Sequence, residues 1–178
     1  MSSIRSYLQR KFKYDMFNRF CYKKVQNFPQ IKKIVLNFGF KTNDFTSLVT
    51  SLFVLELLTK QKGILTLSKN ANLFLKIRKG NPVGCKVTLQ KKAAFSFLNR
   101  YYYEIFPKLK QSEHLLNLKM LNKNSFSYNL NDTSVFQELN NKYYLFGNLP
   151  QLNITIVTNS MFKLELVYLI KLFKFPCI

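Results

Sequence analysis

The sequence predicts an α+β fold, an antiparallel sheet with helices packed on one face and the opposite face left open. Three observations predict it. Segments of period-two alternation are interleaved with segments of three-to-four spacing, but not as regular βα units. The chain is 178 residues long and 47% hydrophobic, with 18 Phe and 10 Tyr, enough for the core of one domain over residues 1–178. Pro29, Gly39, Gly63 and Pro107 stand at the ends of patterned segments.

The first segment reads as a helix, because Ile4, Tyr7, Leu8, Phe12, Met16 and Phe20 recur at helical spacing after Ser2 and Ser3, either a suitable cap. Pro29 and Gly39 bracket a strand with Ile34, Leu36 and Phe38 on one face and Lys33, Val35 and Asn37 on the other. A second helix starts at Asp44 and carries a wide apolar stripe of Leu48, Val49, Leu52, Phe53, Leu55 and Leu58; Gly63 ends it after a basic tip. Residues 63–90 alternate at both ends, with Val83, Cys85, Val87 and Leu89 opposing Gly84, Lys86, Thr88 and Gln90. Between the ends, residues 76–84 carry three cations, two glycines and a proline, the composition of an exposed loop. A third helix is predicted over 91–106, stopped by Pro107, and loop over 111–124. One or two short strands are expected within 126–139, a strand with Leu152, Ile154 and Ile156 on one face within 149–160, and a last helix from 161 to 173.

The formal net charge is +20. A compact domain so charged repels itself unless a polyanion neutralises it; nucleic acid is the first candidate, an anionic membrane the second. Residues 1–92 hold 19 basic and 3 acidic residues, and the remainder 9 and 5, so the polyanion is expected against the N-terminal half. No apolar run is long enough to span a bilayer: residues 48–58 are too short and include Glu56. The basic amphipathic start, MSSIRSYLQRKFKYDMF, has the character of a transit peptide or of a membrane-surface helix. Yet Lys outnumbers Arg 23 to 5, Trp is absent, and Asn, Phe and Tyr abound. Those choices follow A+T-rich codons, and the expectation is synthesis inside an organelle.

Chemistry is mostly missing. His114 stands alone, the eight carboxylates form no motif, and Gly80 and Gly84 are not followed by the residues of a phosphate-cradling loop. Cys21, Cys85 and Cys177 suggest neither a disulfide framework nor a metal site, and Cys85 reads as a buried thiol. No metal, cofactor or catalytic residue is expected. Lysines for phosphates and aromatics for bases remain, the pattern of an RNA binder. Lys33 and Asn37 share one strand face, and Lys86, Thr88 and Gln90 another. As neighbours they would offer cations and amides to phosphates, 2′-hydroxyls and base edges; an ordinary solvent face fits the same pattern.

At KIRKGNPVGCKVTL, residues 76–89, the sequence resembles the bacterial-type large-subunit ribosomal protein L five family, whose members bind 5S rRNA. FPQIKKIVLNFG, FLNRYYYEIFPKL, FSYNLNDTSVFQEL, QLNITIVT and the closing FKFP support the likeness in order and spacing over nearly the whole chain. The sequence departs from the family at Asn129, Asn131 and Gln137 and matches poorly over 110–124. The resemblance implies a structural role in the central protuberance of an organellar large subunit, with rRNA contacts at Lys33, Asn37, Gln61 and Thr88, to which Lys69, Lys86 and Gln90 add polar groups. It implies that a loop offering Lys76, Arg78, Lys79, Gly80, Pro82 and Gly84 faces the elbow of P-site tRNA. The implied partners are 5S rRNA, large-subunit rRNA, P-site tRNA, other central-protuberance proteins and a small-subunit head protein across an intersubunit bridge, but no membrane. The divergence favours the mitochondrion over the plastid. The competing reading is an organellar RNA-processing factor outside the ribosome.

Overall fold

The computed structural model describes residues 13–22, 24, 27–40, 44–105, 107–108, 121–140, 143–146 and 149–172. Five strands, β1 (Ile31–Gly39), β2 (Ile64–Leu67), β3 (Pro82–Gln90), β4 (Ser125–Leu130) and β5 (Leu152–Thr158), form one sheet in the order β2-β3-β1-β5-β4. The described helices are α1 (Lys13–Arg19), α2 (Phe45–Thr59), α3 (Lys91–Arg100), α4 (Gln137–Asn140), α5 (Tyr143–Phe146) and α6 (Lys163–Leu172), beside a π-helical and a 3-10 turn. The α+β class with an antiparallel sheet is therefore observed. Contacts divide the chain into two compact units: one takes the described residues within Met1–Ile34, Gln90–Tyr128 and Thr155–Ile178, the other those within Val35–Leu89 and Asn129–Ile154.

In the second unit the strands bury Leu36, Phe38, Cys85, Val87 and Leu89, and α2 buries Leu48, Ser51, Val54, Leu55 and Leu58. Ser51 Oγ lies 3.2 Å from Cys85 Sγ, fixing which side of β3 the helix covers. The buried stripe of α2 is thus rotated from the one expected. Val49 and Phe53 are half-exposed, and the Phe53 ring stacks on Phe146 of α5 with centroids 6.2 Å apart. The helix also stops earlier than expected. Lys60 adopts a left-handed conformation (φ 54°) and donates its N–H to the Glu56 carbonyl at 2.8 Å. Gly63 has another role, since a Cβ there would sit 2.6 Å from a δ-methyl of Leu52.

In the first unit Met16, Phe28 and Leu169 form a cluster flanked by Phe20, Tyr22, Ile31 and Tyr168. The Arg19 guanidinium lies 4.5 Å from the Tyr168 ring centre. Glu165 is buried and accepts the N–H groups of Met161 (3.0 Å) and Phe162 (3.4 Å), satisfying donors at the start of α6. Regular α geometry in α3 ends at Arg100, not Pro107. A π-helical turn follows over Tyr101–Ile105 with both end residues buried, and Pro107 and Lys108 are again helical. Of the strands expected in 126–139, β4 forms, while the rest becomes a 3-10 turn, Thr133–Val135, and α4. The predicted helical residues 1–12 and most of the predicted loop 111–124 lie outside the described residues.

Candidate nucleic-acid interface

Strand alternation sorts the candidate residues as expected. On β1 the burial pattern exposes Lys33 and leaves Asn37 half-exposed, while Ile34, Leu36 and Phe38 are buried. On β3 Lys86 and Gln90 are exposed and Thr88 is half-exposed, between buried Cys85, Val87 and Leu89. Lys33 and Gln90 belong to the first unit; Asn37, Lys86 and Thr88 belong to the second.

Within the second unit β2 pairs antiparallel with β3, Ile64 opposite Lys86 and Thr66 opposite Gly84. Directly opposed residues project to the same side, so Ile64 and Thr66 join Lys86 and Thr88 on the side away from α2. Sequence reasoning did not single out Ile64 or Thr66; their register is set by pairing, which no single-strand pattern reveals. Gln61 is exposed just beyond α2, not on a strand, and its N–H and carbonyl lie 3.3 Å from the Thr59 hydroxyl. In the first unit the outward positions of β4 and β5 are Ser125, Ser127, Thr155 and Val157, and Ser127 Oγ lies 3.0 Å from Thr155 Oγ1. β1 and β3 carry Lys32, Lys33 and Lys86, whereas β4 and β5 carry no Lys or Arg.

Residues 68–81 form an arm between β2 and β3. Ser68 donates to the Asn81 carbonyl (2.8 Å) and Gly80 to the Ser68 carbonyl (3.0 Å) at its base. Further out, Asn72 and Ile77 exchange backbone hydrogen bonds of 2.8 and 3.0 Å. Lys69, Lys76, Arg78, Lys79 and Gly80 are exposed along it. Gly80 has φ +88°, a conformation that glycine enters freely. The last part of the predicted loop is strand instead. Pro82 is half-buried at the start of β3, and Gly84 is buried within it. A Cβ on Gly84 would stand 2.5 Å from the Phe38 carbonyl oxygen and 2.8 Å from Thr66 Oγ1. The close approach that this glycine permits is between strands of its own sheet.

None of Lys33, Lys69, Lys76, Arg78, Lys79 or Lys86 is paired with a described carboxylate. Cations without a described carboxylate partner, two on strands and four on the arm, suit a polyanion, since releasing its counterions drives association. Burial raises the Cys85 thiol pKa, and hydrogen bonds with the Ser51 hydroxyl and the Phe38 backbone offset only part of that rise, so the protonated thiol is favoured. Among the described residues no group of three or more His, Cys, Asp or Glu side chains could hold a metal ion, and no helix is long and apolar enough to cross a membrane. His114 lies outside the described residues.

A basic α+β protein with exposed cations on strands and on a projecting arm is suited to binding a polyanion. Residues 82–177 match the model that describes the C-terminus of the ribosomal protein L five family. Large ribosomal subunit protein uL5m of Reclinomonas americana is 30% identical over 178 residues, covering 99% of this chain and 98% of that protein. Large ribosomal subunit protein uL5 of Blochmanniella floridana is 28% identical over 178 residues, covering 99% and 93%. The uL5 of Neisseria meningitidis is 29% identical over 178 residues, covering 99% and 98%. The chain belongs to the ribosomal protein L five (uL5) family: it is a structural, rRNA-associated protein of the large ribosomal subunit and not an enzyme.

Proposed function

We propose that this chain holds 5S rRNA in the central protuberance of a mitochondrial large subunit and touches P-site tRNA with the arm between β2 and β3. The observation that carries the reading is the outward, polar positions on each unit's part of β1 and β3: Asn37, Lys86 and Thr88 in the second unit, and Lys33 and Gln90 in the first, are exposed or half-exposed, while the alternate residues are buried. Lysines neutralise phosphates and supply most of the affinity. Asn37, Thr88 and Gln90 supply groups that can bond 2′-hydroxyls and base edges, as RNA recognition requires. Gln61 and Lys69 extend the contact beyond the strands, and large-subunit rRNA is the second RNA bound. On the arm, Lys76, Arg78 and Lys79 meet the phosphate-rich tRNA elbow, with Gly80, Pro82 and Gly84 shaping its base. In this reading residues 1–178 act as one domain in the mitochondrial matrix, made inside the organelle, beside other central-protuberance proteins and a small-subunit head protein across the intersubunit bridge.

The test is a double variant. Lys33→Glu with Thr88→Val removes one cation and one hydroxyl and leaves the buried face untouched. It should weaken binding of the purified chain to 5S rRNA by more than about 1 kcal/mol at fixed salt, the scale of a lost charge-assisted bond. Unchanged affinity would sink the assignment of 5S rRNA to these strands.

A further inference from the structure

The arm between β2 and β3 ends in an apolar tip that its basic composition does not require. Leu73 is 92% exposed, Phe74 99% and Leu75 44%. The tip is fixed in place: Lys76 donates its N–H to the Leu73 carbonyl (3.1 Å), Asn72 Oδ1 accepts from Phe74 N–H (3.1 Å) and Leu75 N–H (3.4 Å), and Ile77 is buried behind it. A fully exposed phenyl ring on an ordered turn is costly to leave in water and marks a contact surface. Charge identifies the partner. Residues 68–81 contain Lys69, Lys76, Arg78 and Lys79 and no Asp or Glu. A protein surface matched to that arm would need several acidic groups around an apolar socket. Folded RNA offers phosphates beside flat base faces wherever a stack ends, and aromatic rings stack on such faces regardless of base identity.

We propose that Phe74 stacks on an exposed base at the outer corner of the tRNA elbow, with Lys69, Lys76, Arg78 and Lys79 holding the flanking phosphates. The inference rests on the reading that the arm meets P-site tRNA. It divides the arm's affinity into an ionic part that weakens with salt and a stacking part that does not.

The experiment measures dissociation of P-site tRNA from ribosomes carrying variants of this chain at several salt concentrations. Because Phe74 is fully exposed, its replacement leaves the core intact. Phe74→Ala should speed dissociation about tenfold, within the range for loss of one base–aromatic stack, and by the same factor at every salt concentration. Phe74→Tyr and Phe74→Trp should restore slow dissociation, and Phe74→Leu should not. The triple variant Lys76→Ala, Arg78→Ala, Lys79→Ala should also speed dissociation, by a factor that shrinks as salt rises. If the triple variant loosens tRNA but Phe74→Ala does not, stacking is overturned and the ionic role of the arm stands. If neither variant has an effect, the reading of the arm itself is overturned. Full rescue by Phe74→Leu would overturn stacking in favour of apolar packing against a protein.

Discussion

Replacing Gly84 with alanine places a methyl carbon 2.5 Å from the Phe38 carbonyl oxygen and 2.8 Å from Thr66 Oγ1. Gly84 does not have the positive φ of Gly80, so the penalty is steric, and it falls on backbone. Reaching an ordinary contact means moving β3 from β1 by roughly 0.5–0.9 Å, the gap between 2.5 Å and the 3.0–3.4 Å of the tightest real contacts. Overpacking of this kind costs ~1–3 kcal/mol. The hydrogen bond from Phe40 N–H to the Val83 carbonyl, 2.9 Å and next to the clash, would weaken by about 1 kcal/mol more. The total is about 2–4 kcal/mol, which at this chain length lowers the melting temperature by about 5–15 °C. Gly63→Ala is the control. Its Cβ would meet only a δ-methyl of Leu52 at 2.6 Å, and a side-chain rotation relieves that for about 1 kcal/mol. Thermal unfolding of the purified chain, followed by circular dichroism, gives both numbers. A Gly84→Ala protein as stable as the parent, or less perturbed than Gly63→Ala, would refute the claim that strand spacing at Gly84 requires glycine.

Other expected outcomes follow from local chemistry. Lys60→Gly should stabilise the chain by about 0.5–1 kcal/mol, because Lys60 closes α2 at φ 54° and glycine enters that conformation without penalty; a loss of stability in urea unfolding would contradict this. Glu165→Ala should cost about 1–2 kcal/mol, since it strands two N–H donors at the start of α6, read from the same urea curves. Tyr22 and Tyr128 are both held above the ordinary tyrosine pKa, Tyr22 by burial and then by Glu165, Tyr128 by burial and then by Tyr101. The folded state therefore keeps protons that the unfolded state has lost. Their stabilisation is full below about pH 10, the ordinary tyrosine value, and falls as the pH rises beyond it. Tyr22→Phe should make the urea midpoint fall less steeply above that pH; an unchanged slope would show that Tyr22 titrates normally.

Alternation made the strands readable. Leu36 and Phe38 against Asn37, and Cys85, Val87 and Leu89 against Lys86 and Thr88, needed only the period of two, and burial sorts them the same way. Features decided by tertiary contact were not readable. Ser51 is fully buried in α2 because its hydroxyl bonds the Leu48 carbonyl at 2.9 Å and meets the Cys85 thiol, which turns Val49 and Phe53 outward. Lys60 ends α2 where a glycine is the usual signal, so the eye moves to Gly63, whose true constraint is the approach of Leu52. Phe136 and Leu139 are both buried at helical spacing, which a segment with only short apolar runs did not disclose. On the candidate interface the cations were legible because charge is a property of composition. The Leu73–Leu75 tip was not, because an apolar triplet reads as core until the arm that carries it is seen to project.

Ultraviolet crosslinking in lysate of the source organelle tests the proposal that the outward positions of β1 and β3 hold 5S rRNA. The RNA joined to this chain is sequenced and the joined peptides are identified. Crosslinks to 5S rRNA are expected through the peptides bearing Lys33 to Asn37 and Lys86 to Gln90. Crosslinks confined to large-subunit rRNA, or 5S crosslinks that map elsewhere on the chain, would contradict it.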